Sequence, residues 1–268
     1  MKTLIPFLLL CAACFAQSPS VLLFKRPPSA AGGGGALVYP TNYPTVQGWW
    51  RASDADPYFT NGQVINNWTS VVNGLVAAKI GGNDVVMKKN AVGTNSAINF
   101  TDAAGGTTLL RHPLLTFNVT PVSNSRYTFL VFGKVNLVPA VYPIWSRAAN
   151  NQQFRISVDG ADATNALYTF DNGAGLQGLS LGTALSNGFH IVSITQGASN
   201  TRLTWNSATT NSSVNGVPSG GWGFVDMGGT KMEVIEMIAW TNYAMHHTDM
   251  MNLITNYFMK AYPNAVTF

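Results

Sequence analysis

The sequence is poor in acidic residues and in charge of either sign. Of its 268 residues only 11 are aspartate or glutamate, and Glu233 and Glu236 are the two glutamates. Charged residues make up 10% of the chain, against about a quarter in a typical globular protein. Lysine and arginine are scattered and form no basic stripe interleaved with aromatics, which argues against nucleic acid as the partner. A surface built mainly of uncharged polar residues is typical of a secreted β-protein.

Cysteine is nearly absent, and both cysteines lie in a segment that resembles an export signal. Lys2 precedes an apolar run that ends in small residues near Ala16, and the run is too short for a permanent membrane anchor. Cleavage after Ala16 would remove Cys11 and Cys14, leaving a mature chain without a thiol. The alternative is a lipoprotein anchored through Cys14. We predict residues 1–16 to be a signal peptide and the protein to be secreted.

A glycine- and proline-rich segment follows this signal. Pro27 and Pro28 stand side by side, and four consecutive glycines occupy positions 32–35. Ordering such a segment costs too much chain entropy for it to lie inside a core. Residues 17–44 are therefore predicted to be a linker or arm, and residues 45–268 to form a single domain.

The residue pattern of the domain predicts a succession of β-strands. Apolar residues alternate along the stretch that begins at Val46, so Trp50 should face the main core and Trp49 the opposite face. The segment at 126–135 is apolar on both faces and should be a central, covered strand. Asn/Gly/Asp turns separate the later strands, as in a sandwich or barrel.

Only the C-terminal segment has helical spacing. Met250, Ile254, Tyr257, Phe258 and Ala261 share one helical face, which predicts an amphipathic helix. We expect Thr248 to cap this helix at its start and Pro263 to end it. The pattern thus predicts an all-β domain closed by one α-helix.

Four short motifs follow one another along the chain: residues 49–53 (WWRAS), 62–68 (GQVINNW), 236–238 (EMI) and 257–262 (YFMKAY). In this order they resemble the concanavalin A-like, laminin-G-like jelly-roll domains of secreted bacterial and phage proteins. The resemblance implies a two-sheet antiparallel jelly-roll sandwich with one C-terminal α-helix. It departs from the family at Arg51, where such domains commonly carry an acid, so a role for that acid is not carried over.

No catalytic residues are predicted. Glycosidases of this superfold use paired acids at even spacing on one strand, whereas Glu233 and Glu236 are three apart, which on a regular strand places them on opposite faces. We expect Glu236 to bond neighbouring donors at a sheet end and Glu233 to be solvated. A glycoside hydrolase is therefore the least favoured function.

A calcium site is considered as a further possibility. Hard oxygen ligands from closely spaced acids suit this ion, and jelly-roll domains often complete the site with backbone carbonyls. Turn-capping is an alternative role for each of the aspartates. The candidate calcium ligands are Asp54, Asp56, Asp102 and Asp226.

Aromatic residues in loop-like segments give the remaining functional signal. Aromatic rings stack on sugar rings, and neighbouring amide and guanidinium groups bind hydroxyls. Local loop packing is the alternative role for each. The candidate ligand-binding residues are Tyr58, Tyr142, Trp145, Arg147, Asn150 and Trp222.

By analogy with the family, the sequence favours a secreted, non-catalytic binding module for a glycan or another cell-surface component, acting in carbohydrate recognition or adhesion. The alternative is a structural component of a cell surface or phage particle.

Overall fold

The computed structural model describes residues 37–80, 84–100, 114–117, 126–135, 144–147, 152–158, 165–171, 176–184, 188–197, 201–206, 208–212, 224–228 and 232–265. The predicted signal peptide and most of the predicted linker lie outside these residues, so both stay predictions. Within the described part of the chain, no helix is long and apolar enough to cross a membrane.

Two antiparallel sheets of eight strands each form the body of the molecule. Sheet A contains β1 (Val46–Arg51), β4 (Val85–Val92), β5 (Asn95–Phe100), β7 (Tyr127–Val135), β12 (His190–Gln196), β13 (Thr201–Trp205), β14 (Ala208–Ser212) and β16 (Met232–Thr241). Sheet B contains β2 (Asn67–Thr69), β3 (Val76–Ile80), β6 (Leu114–Phe117), β8 (Ile144–Arg147), β9 (Gln152–Val158), β10 (Asn165–Asp171), β11 (Leu176–Ala184) and β15 (Phe224–Gly228).

The strand order places β7 and β16 at the centre of sheet A. Sheet A runs β14-β13-β12-β7-β16-β5-β4, and sheet B runs β11-β10-β9-β8-β15-β6-β3-β2. Strand β16 pairs with β5 through Met232–Val234 and with β1 through Glu236–Trp240, and its register against β7 shifts between Val234 and Glu236. The predicted sandwich and the predicted central strand at 126–135 are both confirmed.

Sheet A has an apolar core on each of its faces. Trp50 lies in the inter-sheet core, with Trp68 and Met227 of sheet B. Trp49 lies on the outer face, in a second core that we call the helix core because the C-terminal helix covers it. Both indoles are at most 3% exposed, and the predicted division of the two tryptophans between opposite faces is confirmed.

The C-terminal helix runs from His247 to Ala261 and contains a short π-helical segment. It comprises α2 (His247–Leu253), the π segment Ile254–Phe258 and α3 (Met259–Ala261). A separate single turn, α1 (Ala52–Ala55), follows β1. The predicted apolar face of the C-terminal helix is buried against sheet A, apart from Ala261, which is partly buried. The predicted cap is wrong by two residues, because His246 is the N-cap and its Nδ1 accepts a bond from the Thr248 backbone N–H at 3.3 Å.

Residues before the predicted domain start also pack on the helix core. The Trp240 indole donates a hydrogen bond to the Pro40 carbonyl at 3.2 Å, and the Tyr43 hydroxyl donates to the Asp249 carbonyl at 3.0 Å. The Tyr39 ring lies 5.9 Å from the Tyr257 ring. Among the described residues, contacts with the helix core thus extend upstream of position 45 as far as Tyr39.

Candidate functional site

Tyr58 is the most exposed of the large apolar side chains in the described residues. It is 68% exposed, at the end of a 3₁₀ turn spanning Asp56–Tyr58, directly after α1. The next residue, Phe59, packs against the inter-sheet core and so fixes the chain where it leaves the turn. The predicted ligand-binding residue Tyr58 therefore lies at the surface.

The turn that carries Tyr58 is tied to the β4–β5 hairpin. Asp56 accepts hydrogen bonds from the Ser96 hydroxyl and from the Lys89 ammonium, the latter at 2.9 Å, and Lys89 also donates to the Asp56 carbonyl. Partial burial opposes ionisation of Asp56, but the bonds from Ser96 and Lys89 outweigh it and lower the pKa of the carboxyl. The exposed ring thus stands on an anchored turn. Sequence reasoning missed both supports, because Lys89 and Ser96 lie far from Asp56 in the chain.

The two aspartates of this loop have different partners. The Arg51 guanidinium binds Asp54 through two hydrogen bonds of 2.5 and 2.7 Å and lies 4.6 Å from the centre of the Trp49 ring. Burial opposes the charge of Arg51, but the hydrogen bond and charge of Asp54 prevail and raise the pKa of the guanidinium. An ion bound by Asp54 and Asp56 would have to displace both Arg51 and Lys89.

The described geometry therefore does not favour calcium in this loop. Among the described residues no group of three or more His, Cys, Asp or Glu side chains could hold a metal ion. Asp102 lies outside the described residues, and Asp226 lies on β15 opposite Trp145 of β8. The calcium assignment stays a prediction.

The other candidate ligand residues belong to sheet B or fall outside the described part of the chain. Trp145 and Arg147 lie on β8, where Arg147 is paired with Phe224 of β15. Tyr142, Asn150 and Trp222 are outside the described residues. Whether these five residues form a common site with Tyr58 lies outside the described part of the chain, and their roles stay predictions.

The two glutamates lie on the same face of sheet A, contrary to the expectation from their spacing. Ile235 is an extra residue in the register of β16 against β7, so Glu233 and Glu236 both face outward while Val234 and Met237 face the inter-sheet core. Such a bulge reverses the alternation of side chains beyond it. Glu233 is also not solvated: it is 9% exposed, and its carboxylate is 2.6 Å from the Lys88 ammonium.

Glu236 is fully buried in the helix core, at the middle of sheet A rather than at a sheet end. Its carboxyl group accepts hydrogen bonds from the Trp49 indole at 2.9 Å, from the Tyr257 hydroxyl at 2.6 Å and from the Tyr262 hydroxyl. Burial and the nearby carboxyl raise the pKa of both tyrosines well above 10, so they stay neutral donors. Glu236 therefore joins β1, β16 and the C-terminal helix. With no exposed surface, it has no access to a substrate.

The buried carboxyl predicts a pH-dependent contribution to stability. Burial raises the pKa of Glu236 above its ordinary value of 4.5, in spite of its three hydrogen bonds and the charge of Arg51. The folded protein then holds this proton more tightly than the unfolded chain. Its contribution is present in full below pH 4.5 and is lost as the pH rises through the folded-state pKa.

Urea unfolding of the wild type and of Glu236→Gln at a series of pH values tests this expectation. The stability advantage of the wild type should be greatest below pH 4.5 and should decline as the pH rises above it, because glutamine does not titrate. An advantage that stays constant across this range would show that the pKa of Glu236 is not raised.

Comparison with known proteins places this fold among β-sandwiches. No family model and no curated protein matches the sequence. A structure of botulinum neurotoxin type C, whose cell entry depends on interaction with two ganglioside molecules, matches with a TM-score of 0.52 at 9% identity, over 79% of this chain and 51% of that chain. The binding domain of botulinum neurotoxin DC in complex with SialylT matches at 0.53 and 9% identity, with the same coverage of 79% and 51%.

A sialidase gives a similar match. Trypanosoma rangeli sialidase in complex with 2,3-difluorosialic acid aligns with a TM-score of 0.56 at 12% identity, over 87% of this chain and 36% of that chain. This chain thus spans about half the length of the neurotoxin chains and about a third of the sialidase chain. At these identities the likeness establishes the β-sandwich fold, which occurs both in glycan-binding domains and in an enzyme. The predicted laminin-G-like assignment stays a prediction.

Proposed function

We propose that this chain is a secreted, non-catalytic carbohydrate-binding module in which Tyr58 stacks on a sugar ring. The exposure of Tyr58 on an anchored turn carries the proposal. An exposed aromatic ring on an anchored turn offers its apolar face to a sugar without the entropy cost of ordering the backbone. Exposed polar side chains follow it at once, among them Asn61 and Gln63. Their side-chain oxygens accept hydrogen bonds from the backbone N–H groups of Lys89 and Thr60, and their amide N–H groups are donors for sugar hydroxyls.

The engagement of both glutamates supports binding without hydrolysis. A retaining glycosidase needs two free carboxyl groups about 5 Å apart on one sugar. Glu236 is closed off by three donors in the helix core, and Glu233 is paired with Lys88. The likeness to β-sandwiches that bind gangliosides and SialylT agrees with this function at the level of the fold.

Tyr58→Ala should weaken carbohydrate binding by about 1 kcal/mol, or roughly fivefold in Kd, because it removes the stacking ring. Tyr58→Phe should bind as the wild type does, since it keeps the ring. Met259→Ala is the matched control, because Met259 is also an exposed apolar residue but lies on the C-terminal helix. The measurement is a glycan array with the protein displayed multivalently, which makes weak single-site binding visible, followed by titration of the best ligand.

The outcomes separate the proposal from its alternatives. Binding that survives Tyr58→Ala but is lost in Trp145→Ala or Trp222→Ala would move the site to the predicted loops. Absence of binding across the multivalent array would contradict carbohydrate recognition and favour a structural component of a cell surface or phage particle. Polysaccharide cleavage that disappears in Glu233→Gln would contradict the non-catalytic assignment.

A further inference from the structure

Three chemically complementary side chains lie together on the outer face of sheet A, beside the helix core. Asn99 of β5 is paired in register with Val86 of β4 on one side and with Glu233 of β16 on the other. Lys88, two residues beyond Val86 on β4, is paired with Ala97. Lys88 and Asn99 are therefore diagonal neighbours on adjacent strands, within reach of a long side chain.

One buried oxygen of this group, Asn99 Oδ1, lacks a hydrogen-bond donor. Glu233 Oε1 lies 2.6 Å from the Lys88 ammonium; the Glu233 side chain is 12% exposed and that of Lys88 is 42% exposed. Asn99 Oδ1, next to Glu233, is buried and has no hydrogen-bond donor. A buried amide oxygen without a donor is costly. A proton on Glu233 would supply the missing donor, because Asn99 and Glu233 are direct cross-strand partners.

We propose that Lys88 and Asn99 join in an intramolecular isopeptide bond, with Glu233 as the acid and base of the reaction. Glu233 accepts a proton from the Lys88 ammonium, and the neutral amine attacks Cγ of Asn99. The protonated Glu233 donates to Oδ1 and stabilises the tetrahedral intermediate. The new Nζ–Cγ bond forms and the Cγ–Nδ2 bond breaks.

The reaction balances without a further reagent. Lys88 Nζ gives up two protons, relayed by Glu233, and both depart with Nδ2 as ammonium, while Glu233 returns to the carboxylate. The product is a neutral amide between β4 and β5. The sheet holds the reacting groups in place, which replaces a bimolecular encounter by an intramolecular one.

The bond would fasten an edge of the sandwich. Strand β4 is the last strand of sheet A on its side, and backbone hydrogen bonds join its outer edge to the segment 62–65. The residue after Lys88 is Lys89, which holds the turn that presents Tyr58. The cross-link would thus make the support of the exposed ring permanent, whether or not the ring binds a sugar.

Mass spectrometry of the purified full-length protein tests the proposal. The intact mass should be lower, by one molecule of ammonia, than the mass calculated for the observed amino terminus. Trypsin should release residues 80–89 joined to residues 90–111 as a branched peptide, since cleavage after Lys88 is blocked when its amine is acylated. Fragment ions from two amino termini distinguish this branched peptide from a linear peptide with a missed cleavage.

Matched variants give the controls. Lys88→Arg keeps the positive charge beside Glu233 but should abolish the ammonia loss, as should Asn99→Ala and Glu233→Gln. Lys134→Ala removes the lysine that flanks Glu233 from β7 and should leave the cross-link intact. A wild-type mass equal to the calculated one overturns the proposal. So does an ammonia loss that persists in Lys88→Arg, since succinimide formation at the Asn61-Gly62 or Asn73-Gly74 pair would produce it.

Discussion

Replacing Glu236 by alanine should lower the free energy of unfolding by about 3–5 kcal/mol, because it removes the acceptor shared by three buried donors. The Trp49 indole and the hydroxyls of Tyr257 and Tyr262 would lose their partner, and these three side chains are at most 6% exposed. Each buried donor left without an acceptor costs about 1–3 kcal/mol. The cavity left by the deleted side chain adds to this loss.

Urea unfolding followed by tryptophan fluorescence measures the effect, since Trp49 lies at the site of the change. Tyr257→Phe removes one donor and should cost only about 1 kcal/mol. Asp84→Ala is the matched control for deletion of a carboxylate, because Asp84 is exposed and forms a surface ion pair with Lys79 at 2.9 Å. Its loss should cost less than about 1 kcal/mol. Equal midpoints for Glu236→Ala and Asp84→Ala would refute the assigned role of Glu236.

Local periodicity was sufficient to predict the elements that obey it. Alternation assigned Trp50 and Trp49 to opposite faces of β1, and helical spacing assigned the apolar face of the C-terminal helix. Both predictions rest on side chains that follow the geometry of their own segment. The prediction of Tyr58 rests on the opposite signal, the lack of a strand pattern that requires burial, and this residue is exposed.

The placement of the glutamates could not be predicted in this way. The bulge at Ile235 occurs where β16 changes its partner from β5 to β1, and that exchange joins segments far apart in the chain. Gly133 of β7 permits the close approach there, since a Cβ at this position would lie 2.5 Å from the Glu233 carbonyl oxygen. A lone glycine in a strand is compatible with a bulge but does not locate it. The same limit applies to Lys89 and Ser96, whose contact with Asp56 depends on the tertiary fold.

Deleting the chain after Thr248 should abolish cooperative folding of the whole domain. The deletion removes nearly all of the C-terminal helix and exposes an apolar layer on sheet A that includes Trp49, Phe132, Ile238 and Trp240. Each large side chain contributes about 1.5–3 kcal/mol when fully buried. The sum over this layer and over the helix residues packed on it exceeds the usual net stability of about 5–15 kcal/mol.

Thermal and urea unfolding of the truncated chain should therefore show no sigmoidal transition. A chain ending at Ala265 keeps every helix-core residue that the structure describes and should retain a cooperative transition. The deletion also removes Tyr257 and Tyr262. Of the three described donors to Glu236, the Trp49 indole would remain. Apolar burial and the buried hydrogen-bond network thus fail together, which makes the helix part of the folding unit rather than an appendage. A truncated chain that retains a cooperative transition at the full-length midpoint would contradict this conclusion.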